Sequence, residues 1–256
     1  LWVNNGELKY SYALKSLSRV TPTILAENIV VLSNSDKIFW LRDGVLVNQF
    51  DILKNVERTD NVKIDLSNTT AAKLLDGTLV VGLYNGIVIW LKNGKKIYSY
   101  KANDVFESSP VVVTGETVAI ATKSGRLLWL KNGKLLHQYD APSLKADIVS
   151  LSDGIVVVTS TDEGIYWLRN GKVIFKNTDL DGFFTTTPVA SLNNIVVVGS
   201  SKGVLYWLKD GKVIQKYQFP KWVISRPYFE SEGNFAIGPL GEFLYFVSQV
   251  SGDLKK

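Results

Sequence analysis

The sequence predicts an all-β propeller of four-stranded blades, and three observations predict it. A unit built around a Trp-Leu pair recurs along the chain, its period is close to 40 residues, and no helical periodicity runs inside it. The unit reads KIFWLRDGVLV at Lys37–Val47, IVIWLKNGKKI at Ile87–Ile97, RLLWLKNGKLL at Arg126–Leu136, GIYWLRNGKVI at Gly164–Ile174 and VLYWLKDGKVI at Val204–Ile214. A half copy, LWVNNGELKY, stands at Leu1–Tyr10, and a decayed copy, FLYFVSQVSGDL, at Phe243–Leu254. The marker tryptophans fall at 2, 40, 90, 129, 167 and 207, so the intervals are 38, 50, 39, 38 and 40 residues.

Each unit divides into four strands. In the clearest copy they are A, Pro110–Val113; B, Thr117–Ala121; C, Arg126–Leu130; and D, Lys134–Tyr139. Val, Ile, Leu and Tyr fill these runs and turn residues separate them. Between C and D stand Asn5-Gly6, Asp43-Gly44, Asn93-Gly94, Asn132-Gly133, Asn170-Gly171 and Asp210-Gly211. Such pairs suit a two-residue type I′ hairpin, whose central residues both need positive φ. Six A/B pairs follow: Thr23–Val31, Ala72–Val81, Val111–Ile120, Asp147–Val158, Val189–Val198 and Tyr228–Ile237. The last unit has only a weak D at Gly252–Lys255, while the N-terminus supplies an orphan D at Glu7–Tyr12. The reading is therefore one domain over residues 1–256, six blades, with the last completed by the N-terminal strand so that no sheet edge stays open. Seven blades, one of them lacking its inner strands, is the competing count. The interval of 50 comes from a polar insertion, Asp51–Thr70, that contains the formal glycosylation triplet Asn68-Thr69-Thr70.

The segment Ser108–Trp129, SSPVVVTGETVAIATKSGRLLW, resembles the repeat of PQQ-like propellers, the family of quinoprotein dehydrogenases and outer-membrane assembly lipoproteins. The shared features are a Ser/Thr-x-Pro lead-in to strand A, a Gly before strand C, and the aromatic-Trp-Leu strand followed by Asn/Asp-Gly-Lys. The prolines recur as Pro22, Pro110, Pro188 and Pro227, and the glycines as Gly86, Gly125, Gly164, Gly203 and Gly241. The chain departs from that family at Trp40, Trp90, Trp129, Trp167 and Trp207, where the usual repeat carries Ala. The family's common eight blades are accordingly not carried over. The resemblance raises a quinone- and Ca²⁺-dependent enzyme as one reading. Such enzymes are about twice as long and often carry a vicinal disulfide, and none of their catalytic motifs matches a stretch of this chain.

Composition points the same way. The 256 residues include no Cys and a single histidine, His137, which excludes disulfides, thiol nucleophiles and multi-His metal sites. The chain is read as non-catalytic, with no cofactor and no metal. A net charge of +5 without long basic runs argues against nucleic acid, and no apolar stretch is long enough to span a membrane as a helix. The absence of any Met implies a lost initiator. With the resemblance to exported families, it favours an extracytoplasmic or envelope-associated location over the cytoplasm.

Three groups of residues are candidates for function. The tryptophans of strand C could stack on sugars, but their fixed place beside Leu favours a packing role between neighbouring sheets. Arg42, Lys92, Lys131, Arg169 and Lys209 precede the C–D turns and predict an outer basic ring. Acidic Glu27, Asp76, Glu116, Asp153 and Glu232 of the A–B turns predict partial neutralisation of that ring, which disfavours an anionic partner. Phe106, Phe183, Phe184, Phe219 and Trp222 lie in the D–A loops with Asp104, Glu107, Asp179 and Asp181, and form the best candidate site. The alternative for these aromatics is that they fold down over the seams between sheets. His137 is expected on an exposed outer strand, and the spacings Asp179/Asp181 and Glu230/Glu232 are too common to indicate glycosidase chemistry. The function predicted is a scaffold for another protein through the D–A loops, with a carbohydrate- or polymer-binding module as the alternative.

Overall fold

In the computed structural model, residues 1–14, 20–25, 29–33, 36–56, 69–106, 108–140, 144–160, 164–184, 186–191, 193–223, 225–231, 234–240, 244–248 and 254–255 are described. The chain divides into two compact units, Leu1–Lys123 with Leu128–Leu136, and Ser124–Leu127 with His137–Lys256. Among the described residues there are six four-stranded antiparallel sheets, each in the order A-B-C-D, and one two-stranded sheet.

Sheet I is Thr23–Ile24, Ile29–Ser33, Lys37–Arg42 and Val45–Asp51; sheet II is Ala72–Lys73, Leu79–Gly82, Ile87–Lys92 and Lys95–Lys101. Sheet III is Val111–Thr114, Thr117–Ala121, Arg126–Lys131 and Lys134–Asp140; sheet IV is Leu144–Ser150, Val156–Ser160, Gly164–Arg169 and Lys172–Asn177. Sheet V is Val189–Ala190, Val196–Gly199, Val204–Lys209 and Lys212–Gln218; sheet VI is Tyr228–Ser231, Asn234–Ile237, Tyr245–Ser248 and Leu254–Lys255.

The C–D hairpins follow from their turn residues. Asn5, Asp43, Asn93, Asn132, Asn170 and Asp210 have φ between 49° and 52°, and the glycine after each has φ between 72° and 78°. Both central residues are thus left-handed, as a type I′ turn requires. A repeated contact seats these turns. The space above Gly44 is filled by Tyr10 and Ser11, above Gly94 by Asn48, above Gly133 by Tyr98 and Ser99, above Gly171 by His137 and Gln138, and above Gly211 by Phe175. In each case the turn rests on the outer strand, or its immediate continuation, of the sheet before it. Asn48 and Asn177 donate side-chain hydrogen bonds to turn carbonyls across this seam, at 3.3 and 2.8 Å.

The seat of Gly44 also identifies the N-terminal hairpin. Trp2–Asn4 pairs with Glu7–Tyr10, and this pair holds the C and D places of a unit preceding sheet I. It does not complete sheet VI, whose fourth strand is Leu254–Lys255, paired with Phe246 and Val247. The expected exchange of the N-terminal strand into the last blade is therefore corrected: the outer edge of strand C at Phe246 and Val247 is taken by Leu254–Lys255, and Glu7–Tyr10 pairs with Trp2–Asn4 instead.

Alternation along B and C explains the core. Val80, Val88 and Trp90 of sheet II face sheet III, packing with Val118, Ile120, Leu128 and Leu130. Leu79, Val81, Ile89 and Leu91 point the other way, onto Val31, Ile38 and Trp40 of sheet I. In the second unit Trp167 packs between sheets IV and V, and Trp207 between V and VI. The strand-C indoles act as apolar wedges, with Trp90, Trp129, Trp167 and Trp207 fully buried. Strand D is mostly exposed, and His137 lies on it as expected. Register shifts opposite Trp40, Trp90, Trp167 and Trp207 leave Val47, Ile97, Ile174 and Ile214 as extra residues in strand D. Such bulges blunt an outer strand against pairing with another edge.

The insertion begins with a single turn of helix, Ile52–Asn55, which the sequence reading did not anticipate. Asp51 caps it by accepting a hydrogen bond from Lys54 N at 3.2 Å, and Ile52 is buried beneath. Residues 57–68, including Asn68 of the glycosylation triplet, lie outside the described residues. Thr69 is buried, its hydroxyl donating to the Gly82 carbonyl at 2.6 Å.

Candidate functional site

The D–A loops are pinned by the Ser/Thr-x-Pro lead-in. Ser108 Oγ accepts from Ala121 N at 2.9 Å, Thr186 Oγ1 from Gly199 N at 3.0 Å and Ser225 Oγ from Gly238 N at 2.8 Å. Two residues earlier, Phe106 bridges to Thr122, Phe184 to Ser200 and Val223 to Pro239. This common register decides which aromatics face inward. Phe106 and Phe184 enter the cores at 1% and 2% exposure, as Val223 does in the next loop. Phe219 occupies a different place: its N–H donates to the Gly203 carbonyl, as that of Ala102 does to Gly86. It is 1% exposed, against Tyr217 and Tyr245.

Three of the five predicted contact residues, Phe106, Phe184 and Phe219, are thus core residues. This corrects their assignment as partner-binding side chains. The residue before each bridge points outward because side chains alternate along an extended segment. That residue is Val105, Phe183 and Trp222 in the three loops. Phe183 is 45% exposed and Trp222 50% exposed, and their rings meet edge to face at 5.8 Å and 85°.

The backbone around this pair is held on both sides. Phe183 N donates to Ser201 Oγ at 3.2 Å and its carbonyl accepts from Ser201 N at 2.9 Å. Trp222 O accepts from Leu240 N at 2.7 Å, which ties the exposed Leu240 to the Trp222 backbone, and Asp181 N donates to the Tyr206 hydroxyl at 3.0 Å. Burial pushes the Tyr206 phenol above its ordinary pKa. Asp179 and Asp181 are exposed, as are Lys202 and Lys221, so the surroundings carry both signs. Leu240 and Ser201 were not singled out from sequence, since neither carries a spacing signal of its own, and Tyr206 was legible only as the aromatic before Trp207 in the repeat. Glu107 lies outside the described residues. Among those described, no group of three His, Asp or Glu side chains is placed to hold a metal ion.

At the other loops, charges pair between turns. Lys92 reaches Asp76 at 2.6 Å, and Lys131 reaches Glu116 at 3.3 Å. Asp153 instead meets Ser152 and Asn194. Arg42, Arg169 and Lys209 are exposed at their turns, and Glu27 and Glu232 lie outside the described residues. The Lys92 ammonium, with help from the Thr78 N–H and hydroxyl, lowers the Asp76 pKa from 3.8 to about 2. Because the folded pKa is depressed, this contribution is present above the unfolded value and is lost as pH falls through the folded one. Asp76→Asn is expected to cost under about 1 kcal/mol at neutral pH, since the pair is exposed. The difference from wild type, followed by urea unfolding, is expected to shrink between about pH 4 and pH 2. A difference independent of pH would count against the ion pair as its source.

No family model matches the chain, and no curated protein matches it in sequence. Solved structures do match. BamB from Moraxella catarrhalis is 14% identical, with 93% of this chain and 78% of that one covered at a TM-score of 0.69. The C-terminal WD40 domain of Sif2 is 13% identical, with 93% and 71% covered at a TM-score of 0.77. The chain is a β-propeller in fold. A structure of BBS1N in complex with ARL6DN is also similar, at 15% identity and a TM-score of 0.66 over 91% of this chain and 76% of that one. In these propeller terms, the Phe183–Trp222 pair sits on two successive loops that join outer strand D to inner strand A.

Proposed function

We propose that the chain works as one non-catalytic propeller domain of the PQQ-like type, binding another protein through its D–A loops with Phe183 and Trp222 as anchors. The observation that carries this reading is the pair itself: two large half-exposed rings in contact, on loops whose backbones are tied to the sheets. Rigid aromatics of this kind lose little conformational entropy on binding and supply a desolvated centre to an interface. Exposed Leu240 widens the apolar patch, and Asp181 and Lys202 give it a polar rim. The reported complex of BBS1N with ARL6DN lends support, as a protein of similar fold bound to another protein. Edge-to-face rings at 85° form a corner, which suits a protruding side chain better than the flat face a sugar ring stacks on. The absence of Cys and the single His leave acyl-transfer and redox enzymes without their usual side chains.

The test compares wild type with Phe183→Ala/Trp222→Ala on extract of the source cells, with captured proteins identified by mass spectrometry and titrated individually. Loss of an interface anchor is expected to weaken binding by about tenfold or more. Stability is expected to stay within about 0.5 kcal/mol, because both side chains are exposed. Equal affinity of the two proteins for every captured partner would remove the D–A loops as the binding surface.

A further inference from the structure

Three of the C–D turns carry the same chemistry in nearly the same sequence: Lys92-Asn93-Gly94-Lys95, Lys131-Asn132-Gly133-Lys134 and Arg169-Asn170-Gly171-Lys172. An asparagine followed by glycine can cyclise on its own backbone. The glycine nitrogen attacks the asparagine Cγ and forms a C–N bond, while Nδ2 leaves as ammonia, carrying the glycine amide proton with it. Water then adds to either carbonyl of the succinimide and breaks the bond from that carbonyl to nitrogen, leaving aspartate or isoaspartate. Glycine favours the step because no side chain shields its nitrogen.

Cγ and the attacking nitrogen are both joined through the asparagine Cα, so their approach needs two rotations, one within the side chain and one about Cα–C. In two of the three turns a hydrogen bond opposes one of these rotations. The Asn132 amide donates to Glu116 at 3.3 Å, which holds the side chain. The Asn93 carbonyl accepts from the Asn48 amide at 3.3 Å, which holds the peptide plane between Asn93 and Gly94. Among the described residues, Asn170 makes neither bond. Asp153, the acid of the A–B turn in sheet IV, is engaged by Ser152 and Asn194. His137 takes the place of Asn48 against the turn glycine, and it packs there through its Cβ. Asn170 is exposed, so water reaches it. Its nucleophile is available too, because Arg169 pairs with Lys172 and Gly171 N stays outside the ladder.

We propose that Asn170 is a site of spontaneous conversion to aspartate and isoaspartate. The two products act differently on the turn. Aspartate fits, since Asp43 and Asp210 hold the same place in sheets I and V at φ 49° and 50°. Isoaspartate routes the main chain through Cβ and Cγ, which adds an atom to a two-residue turn and is incompatible with type I′ geometry. Either product places a new carboxylate beside Arg169, and neither involves the Phe183–Trp222 surface.

The test is incubation of the protein at mildly alkaline pH, with conversion at each asparagine followed over time by peptide mapping and mass spectrometry. Asn170 is expected to convert about threefold or more faster than Asn93 and Asn132, the ratio that one exposed hydrogen bond supplies. Asn48→Ala is expected to raise the Asn93 rate, and Glu116→Ala the Asn132 rate, each by about twofold or more. An unchanged rate at Asn170 reports that each variant is folded. In unfolding concentrations of urea the three rates should agree within about twofold, because the flanking residues match. Equal rates at the three turns of the folded protein would overturn the proposal. So would an Asn170 lead that persists in urea, or folded variants in which Asn93 and Asn132 convert no faster than before.

Discussion

Trp207→Ala is expected to destabilise the protein by about 3–5 kcal/mol, as truncation of a large buried aromatic does. The indole is fully buried between sheets V and VI and meets Phe235 edge to face at 6.1 Å. Val197, Leu205, Phe219 and Val247 belong to the same cluster, and these short strands have little freedom to close around the void. The indole N–H has no hydrogen-bond partner, so Trp207→Phe gives up volume without orphaning an acceptor and is expected to cost under about 1.5 kcal/mol. Trp2 supplies the contrast: it holds the same place in the N-terminal hairpin but is only partly buried, and its truncation is expected to cost under about 1 kcal/mol. Urea unfolding with an unchanged m-value measures all three. A Trp207→Ala loss within about 1 kcal/mol of the Trp2→Ala loss would refute the wedge role.

The second large effect is expected from Gly203→Ala, at about 2–4 kcal/mol. Gly203 precedes strand C at φ +77°, a conformation in which an alanine is already strained. A Cβ there would also lie 2.6 Å from the carbonyl oxygens of both Phe219 and Lys221. Those oxygens belong to the backbone of the next D–A loop and cannot swing aside, and the Phe219 N–H already donates to Gly203 O at 2.8 Å. The variant should therefore lose stability and also disturb the loop that carries Trp222, giving a fall in Cm together with a shift in indole fluorescence. Gly115→Ala isolates the backbone part, because at φ +53° nothing lies within 4 Å of its Cβ direction. If the two substitutions cost the same, the close approach at Gly203 contributes nothing.

Much of this fold was legible because it rests on local chemistry. The Asn-Gly and Asp-Gly pairs dictate their own backbone, and alternation of apolar residues in strands B and C dictates two buried faces, so hairpins and wedges could be placed from residue order alone. Strand pairing over the length of the chain is another matter. Leu254–Lys255 is too short to stand out from its polar neighbours, whereas Glu7–Tyr10 matches the D pattern well; nothing in either segment states which strand C it will join. The aromatic loops failed for a similar reason. Phe183 and Phe184 are adjacent, and a single residue of register separates an exposed ring from a core one. That register is set by the hydroxyl of Thr186 and the bridge to Ser200, a pairing between segments that loop composition does not encode.

The seating of each C–D turn on the strand before it bears on how such a chain can change length. From Trp2 to Gly6, Trp40 to Gly44, Trp90 to Gly94, Trp129 to Gly133, Trp167 to Gly171 and Trp207 to Gly211 the step is always four residues, while the step from one Trp to the next ranges from 38 to 50. A residue added inside a turn would break the hairpin and unseat it from its neighbour together, so the two defects compound. A residue added where the chain leaves one sheet for the next meets no such double constraint. Duplicated repeats descending from one ancestor would thus keep a common ruler across the turn and diverge in the crossings, which is where the insertion after Asp51 is found and where the exposed aromatics have had room to arise.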